Sequence, residues 1–191
     1  MKIKLCLALI LLATLLFADS VSRDEAAKYY KQKHIEDKRS ILNSSNYKEN
    51  IDPDYSPSKR YISIHLTGKE TTAEDLKYIK FFPEIKSVIL TEAINIKDTD
   101  LKYISDMPSL TGLDFSKTNI TGEGFKYLKN LPSLQEIDLT FTRVTDANLQ
   151  ELKKFKTLKN IWLYKSKVTQ KGVDMLQKEL PGCFISLKPQ D

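Results

Sequence analysis

Residues that usually carry metal and redox chemistry are scarce in this chain. Cysteine occurs twice among 191 residues, at Cys6 and Cys183, and histidine twice, at His34 and His65. They form no Cys/His cluster, so no metal site is expected. The six glycines are too few and too scattered for a phosphate-cradling loop. Gly122 and Gly124 do make a G-x-G at a helix start, but that signal is too short to count. No nucleophile elbow frames a serine, and Cys183 has no histidine near it along the chain. No catalytic residue and no cofactor are expected.

Apolar runs long enough to cross a membrane are also missing. The stretch Leu5–Phe17 holds 13 uncharged residues, where a spanning helix needs about 20. It follows Met1-Lys2-Ile3-Lys4 and precedes Ala18-Asp19. A basic start, a short apolar run and a small residue before polar sequence read as a secretory signal peptide over 1–18. An uncleaved anchor is the alternative, and the chain would meet a membrane only through it. Export is therefore expected, to the periplasm, the cell surface or the medium, in the manner of bacterial secreted proteins. Cleavage would leave Cys183 as the one cysteine, which excludes an intramolecular disulfide. A small buried hydrophobe is the plainer role for it, and pairing with another chain the alternative.

Charge of one sign is not in excess either. Lysine and arginine number 30 against 25 acidic residues, and loss of Lys2 and Lys4 narrows the gap. The charges are interspersed, so nucleic-acid binding is not expected.

What the chain has is periodicity. Pro108–Leu131 and Pro132–Phe155 align without a gap, starting 24 residues apart. A fixed period of this size marks a solenoid. Each unit opens on a strand pattern: Tyr61/Ile64/Leu66, Ile85/Val88/Leu90, Leu110/Leu113/Phe115, Leu134/Ile137/Leu139 and Leu158/Ile161/Leu163. A polar turn follows, entered on Ile120, Val144 or Val168. A short helix closes the unit on Leu76/Ile79/Phe82, Leu101/Ile104/Met107, Phe125/Leu128/Leu131, Leu149/Leu152/Phe155 or Val173/Leu176/Leu180. Thr72, Thr121, Thr145 and Thr169 stand where a hydroxyl caps the helix start, and Asp98 takes that role in the second unit. Pro83, Pro108, Pro132 and Pro181 stop the helices. A chain that returns through each helix lays its strands parallel.

The motif L-x-x-[LIV]-x-[LF]-x-x-[TS]-x-[IV]-T followed by a short helix resembles the leucine-rich repeats, of the 24-residue kind seen in secreted bacterial proteins. The resemblance covers about Tyr61–Leu187. It implies an α/β leucine-rich-repeat solenoid of about five repeats, with parallel strands on a concave face and short helices on a convex face. Many family members place asparagine after the strand, where this chain has Thr118, Thr142 and Ser166. Lys69 and Ala93 fill that slot in the first two repeats, where a looser strand ladder is expected. The expected organisation is a polar helical segment over 19–42, a linker over 43–60 rich in Asn, Ser, Asp and Pro, and the repeat domain over 61–191. A last strand near 181–188 would cap its C-terminal end. Residues 24–42 are the candidate N-terminal cap.

Candidate binding residues follow from the repeat frame. On the strand face one column reads His65, Ile89, Asp114, Asp138, Trp162, and the next Thr67, Thr91, Ser116, Thr140, Tyr164. A third reads Gly68, Glu92, Lys117, Phe141, Lys165. Trp162, Tyr164 and Phe141 should converge, with Lys165, Asp138 and Asp114 beside them. Exposed aromatics with charged neighbours are the composition of a binding hot spot. This pattern points to a non-enzymatic module that binds a protein partner, or a cell-wall polymer, on its concave face. Self-association in the envelope is the alternative. A hydrolase working through the Asp114/Asp138 pair is the least favoured reading, because no third acid or ligand is in view; a solvated pair bridged by Lys117 or water is plainer. A second ladder, Lys77-Tyr78, Lys102-Tyr103 and Lys126-Tyr127, suggests tyrosines packing between helices.

Overall fold

The computed structural model describes residues 24–26, 28–29 and 63–189. The expected signal peptide and linker, and most of the polar helical segment, lie outside the described residues.

Six strands follow one another through the repeats: β1 (Ser63–His65), β2 (Ser87–Ile89), β3 (Gly112–Asp114), β4 (Glu136–Asp138), β5 (Asn160–Trp162) and β6 (Phe184–Ser186). They form one sheet in chain order, every neighbour parallel. The register matches the repeat frame: Ile64, Val88, Leu113, Ile137, Ile161 and Ile185 share one column. The fold is the leucine-rich-repeat solenoid that the sequence pattern implies. Each strand is only three residues long because residues on both sides must turn into and out of the repeat. Sharing the core along the stack is what stabilises such short elements.

The core is the sum of the repeated apolar columns. Leu90, Leu113, Phe115, Leu134, Ile137, Leu139 and Ile161 from the strands are buried together with Leu101, Phe125, Leu128, Leu149, Leu152 and Leu176 from the helical side. Burying each such side chain stabilises by roughly 1.5–3 kcal/mol before entropy is counted.

The return segments are tighter than the expected helices. Ala73–Lys77 (α1) and Asp146–Leu149 (α2) are single α-helical turns, and Gln170–Glu179 (α3) is the long one. Ile79–Phe81, Asp98–Tyr103, Glu123–Tyr127 and Gln150–Lys154 are 3₁₀ turns. A 24-residue repeat with two turns leaves space for little more, and 3₁₀ geometry gains length per residue.

Helix capping also departs from the sequence reading. Thr72, Thr145 and Thr169 occupy N-cap positions, but the Thr145 and Thr169 hydroxyls make no cap bond, and in the third repeat Gly122 and not Thr121 is the N-cap. Asp98 does not cap its own turn, which starts from Lys97. Its carboxylate reaches the next repeat. There it accepts from the Thr121 amide (3.1 Å) and hydroxyl (3.0 Å) and from the Gly122 (3.0 Å) and Gly124 (2.9 Å) amides. Asp146 repeats the device one repeat pair later, accepting from the Thr169 amide and hydroxyl, both at 2.7 Å. The helix starts of the third and fifth repeats are thus capped by the preceding repeat, whereas Asp75 and Asp100 accept from the Thr72 and Lys97 amides within their own turns.

The looser ladder expected in the first two repeats is not found. Leu66 N–H donates to Ile89 O at 2.8 Å and Leu90 N–H to Asp114 O at 2.8 Å, as Leu139 N–H does to Trp162 O at 2.8 Å. Thr118 and Thr142 hydroxyls do bond back to Phe115 and Leu139 carbonyls, at 2.6 and 2.7 Å. Backbone pairing carries the ladder, and the Ala93 amide still closes its turn on Leu90 O at 3.0 Å.

At the N-terminal end, residues 24–26 and 28–29 are helical, and Ala26 is buried in the common core. Tyr29 donates its hydroxyl to the Asp75 carboxylate at 3.0 Å, and its ring lies 4.3 Å from that of Tyr78. Burial and the Asp75 charge push the Tyr29 phenol above its usual range. Asp75 is itself buried and also accepts from the Thr72 amide at 2.7 Å. The tyrosine ladder therefore divides: Tyr78 packs on Tyr29, while Lys102 and Lys126 ammoniums cover the Tyr103 and Tyr127 rings at 5.0 and 5.2 Å.

Candidate functional site

The strand face is built by alternation. Leu113 and Phe115 point into the core, so Asp114 and Ser116 point out, and each repeat copies the choice. His65, Ile89, Asp114, Asp138, Trp162 and Ser186 pair in one register column. All of those from His65 to Trp162 are partly exposed.

Three residues beyond that column the backbone enters the left-handed region in every repeat: Gly68 (φ 84°), Glu92 (63°), Lys117 (56°), Phe141 (57°) and Lys165 (54°). The sharp exit lets the chain drop toward the helix. Only the first of these is glycine; the other four hold a conformation that costs an L-residue roughly 1–2 kcal/mol. Cross-repeat bonds hold it, with the Glu92, Lys117 and Phe141 amides donating to Ser116 (3.1 Å), Thr140 (2.8 Å) and Tyr164 (2.8 Å) carbonyls. A bulky aromatic at such a position is uncommon, and here the turn throws Phe141 outward, 42% exposed.

Of the six sequence-predicted residues, three form one cluster. The Phe141 and Tyr164 rings meet edge to face, 5.6 Å apart at 89°. The Lys165 ammonium lies 5.0 Å from the Phe141 centroid and 5.4 Å from that of Tyr164. Contacts of this kind hold a cation and two rings in a fixed arrangement. Trp162 stands on the adjacent column, paired in register with Asp138 and Ser186.

Asp114 and Asp138 are register partners, as the period requires. Each also has local work. Asp114 accepts from the Ser116 amide at 2.7 Å and from the Thr91 hydroxyl at 2.9 Å. Asp138 accepts from the Thr140 amide at 2.8 Å. The carboxylates close the strand ends as Asx-type turns. Lys117 does not bridge them. It turns to Glu92 of the preceding repeat at 2.8 Å, and that contact lowers the Glu92 carboxyl and raises the Lys117 ammonium. His65 is pushed below its usual range by burial, against the opposing pull of Asp114. Among the described residues no group of three or more His, Cys, Asp or Glu side chains converges as a metal site.

One residue of this face was missed in the sequence. Phe184 on β6 is 60% exposed and pairs in register with Asn160. It belongs to the column Ser63, Ser87, Gly112, Glu136, Asn160, two residues ahead of the first column read. Adding 24 to Asn160 finds it, but the sequence there reads as a cap and not as a repeat.

No family model matches the chain, and no curated protein matches it either. Solved structures do. A chain of the Drosophila melanogaster SNF/U2A' complex superposes with a TM-score of 0.53 at 18% identity, over 71% of this chain and 78% of that one. A Bacteroides fragilis protein is similar over 57% of this chain and 42% of its own, with a TM-score of 0.36 at 22% identity.

Proposed function

We propose that this leucine-rich-repeat solenoid is an exported, non-enzymatic module that binds a protein partner on its strand face. The carrying observation is the Phe141–Tyr164–Lys165 cluster, an aromatic pair under a cation, held out from the sheet by left-handed turns. Rigid aromatics presented on a stacked sheet lose little side-chain freedom on binding, which is how hot spots gain affinity. Trp162 and Phe184 extend the apolar surface along the last two strands, with Asp138 and Asp114 on its acidic flank. The similar fold in the SNF/U2A' structure comes from a complex, which is consistent with a binding role for the architecture. A cell-wall polymer is the other occupant this surface would take. The Leu5–Phe17 run supports export.

Two measurements test this. Mass analysis of the chain from fractionated cells should find a mature N-terminus at Asp19 outside the cytoplasm; a chain still carrying Met1 sinks the cleavage, and one confined to the cytoplasm sinks the export reading. A Phe141→Ala/Tyr164→Ala/Trp162→Ala variant should lose partner capture in a crosslinking pull-down from cell envelope, with unchanged far-UV circular dichroism. Capture equal to that of the native chain rejects the assignment of this face.

A further inference from the structure

The strands have two ends, and the far end carries a different surface. Residues 126–132 run into β4, whereas Phe141 leaves it. Between the third and fourth repeats, on that entry side, lies a cleft of about 670 Å³. Lys126, Lys129, Lys154 and Lys156 line it, Pro132 contributes apolar surface, and none of its lining residues is acidic.

The cleft arises where the repeat breaks its own pattern. Asp106 and Asn130 share one slot, both left-handed (φ 57° and 51°), and the Asn130 amide donates to the Asp106 carboxylate. One repeat on, that slot holds Lys154, which closes the 3₁₀ turn Gln150–Lys154. Two residues further, the slot of Pro108 and Pro132 holds Lys156. The hydrogen-bonded Asp106–Asn130 edge of the earlier repeats thus gives way to a cationic one. Lys154 folds back to donate to the Phe125 carbonyl at 2.6 Å and lies 5.1 Å above the Phe155 ring. Burial lowers its ammonium, Glu151 opposes this, and the Lys129 charge adds to the lowering. Lys156 donates to the Glu179 carbonyl at 3.2 Å and lies 3.9 Å from the exposed Glu179 carboxylate.

We propose that this cleft docks an acidic segment of a protein partner, its carboxylates spread over the four lysines and an apolar side chain set against Pro132. Charge complementarity selects an anion. The lining chemistry selects a peptide. Lysines bind carboxylate and phosphate alike as point charges, so the exposed, apolar Pro132 beside them is what favours a peptide. Phe155 is 7% exposed and so offers no ring face on which a base would stack. The surface is separate from the Phe141 face and stands whether or not that face binds.

The test uses the full chain and a fluorescein-labelled oligoglutamate peptide with one central phenylalanine, followed by anisotropy. Lys129→Gln/Lys156→Gln alters two exposed side chains and should weaken binding about tenfold, with a shallower salt dependence. Lys154→Met keeps the stem, removes the charge and should weaken binding in the same direction. A charge-matched control, Lys69→Gln/Lys97→Gln on the first two repeats, should stay within about twofold of the native chain, and so should Phe141→Ala/Tyr164→Ala. Equal loss in the lysine control would reduce the effect to overall charge, and loss in the aromatic variant would move the site to the other face. Either result overturns the proposal, as does tighter binding of linear polyphosphate than of the peptide.

Discussion

Gly124 and Gly172 fill one slot in the third and fifth repeats, three residues after Thr121 and Thr169. A Cβ on Gly124 would stand 2.2 Å from the Asp98 backbone carbonyl, and one on Gly172 would stand 2.2 Å from Asp146 Oδ1. The carboxylate that reaches across to cap the next repeat demands the missing side chain. The two glycines differ in what they would strike, backbone in one case and a side chain in the other. Alanine at either should cost about 1–3 kcal/mol by overpacking. In an Asp146→Ala background the Gly172→Ala cost should fall, because the struck atom is gone. Gly124→Ala in an Asp98→Ala background should keep most of its cost. Urea unfolding of the two double-mutant cycles measures the difference; equal coupling in both would contradict the cap geometry. The buried Thr140 hydroxyl, which has no hydrogen-bond partner, has no such assignment, and nothing in the structure explains it.

At the scale of the element, the helix starts of the third and fifth repeats draw stability from the repeat before them. The Thr169 amide and hydroxyl hold the Asp146 carboxyl below the usual aspartate range, against a small opposing effect of burial. A depressed folded-state value sets the sign. The contribution is fully present above the unfolded value near 4 and is lost as pH falls through the lower folded one. Denaturant unfolding at pH 7 and near pH 3 should therefore show an acid loss that Asp146→Asn reduces. An identical acid loss in the two proteins would place the titrating group elsewhere. The elements themselves were legible from apolar spacing. Leu101, Ile104 and Met107 are buried as a stripe, although the turn that carries them is 3₁₀ and not α. Spacing reports which side chains face inward and says little about whether three or four residues close the turn.

At the scale of the whole molecule, the stack must end. β6 covers the fifth repeat, and Cys183 sits just ahead of it, buried and hydrogen-bonded to the Phe184 carbonyl at 3.6 Å through sulfur. Burial pushes its thiol up to about 11, so at neutral pH it is protonated and shielded. Iodoacetamide should modify the native chain slowly at pH 8, and rapidly in denaturant. Fast modification of the folded chain, or a disulfide-linked dimer without reductant, would show that this end opens and would return Cys183 to the self-association reading.

The sequence by itself determined the repeat, its parallel course and its core, because burial is periodic and a 24-residue period needs no distant information. It also determined that Asp114 and Asp138 would be neighbours, and that Phe141, Tyr164 and Lys165 would share a face. The tertiary structure decided what lies between repeats. Asp98 caps Thr121 and not its own turn, Lys117 joins Glu92 and not the aspartates, and Lys154 and Lys156 close on a cleft with Lys126 and Lys129. Each of these joins residues 20 or more positions apart, through side-chain directions that a one-dimensional pattern does not carry. Left-handed turns at Phe141 and Lys165 belong to the same class. The Phe141 amide is held by the Tyr164 carbonyl of the next repeat, and neither residue type announced the turn.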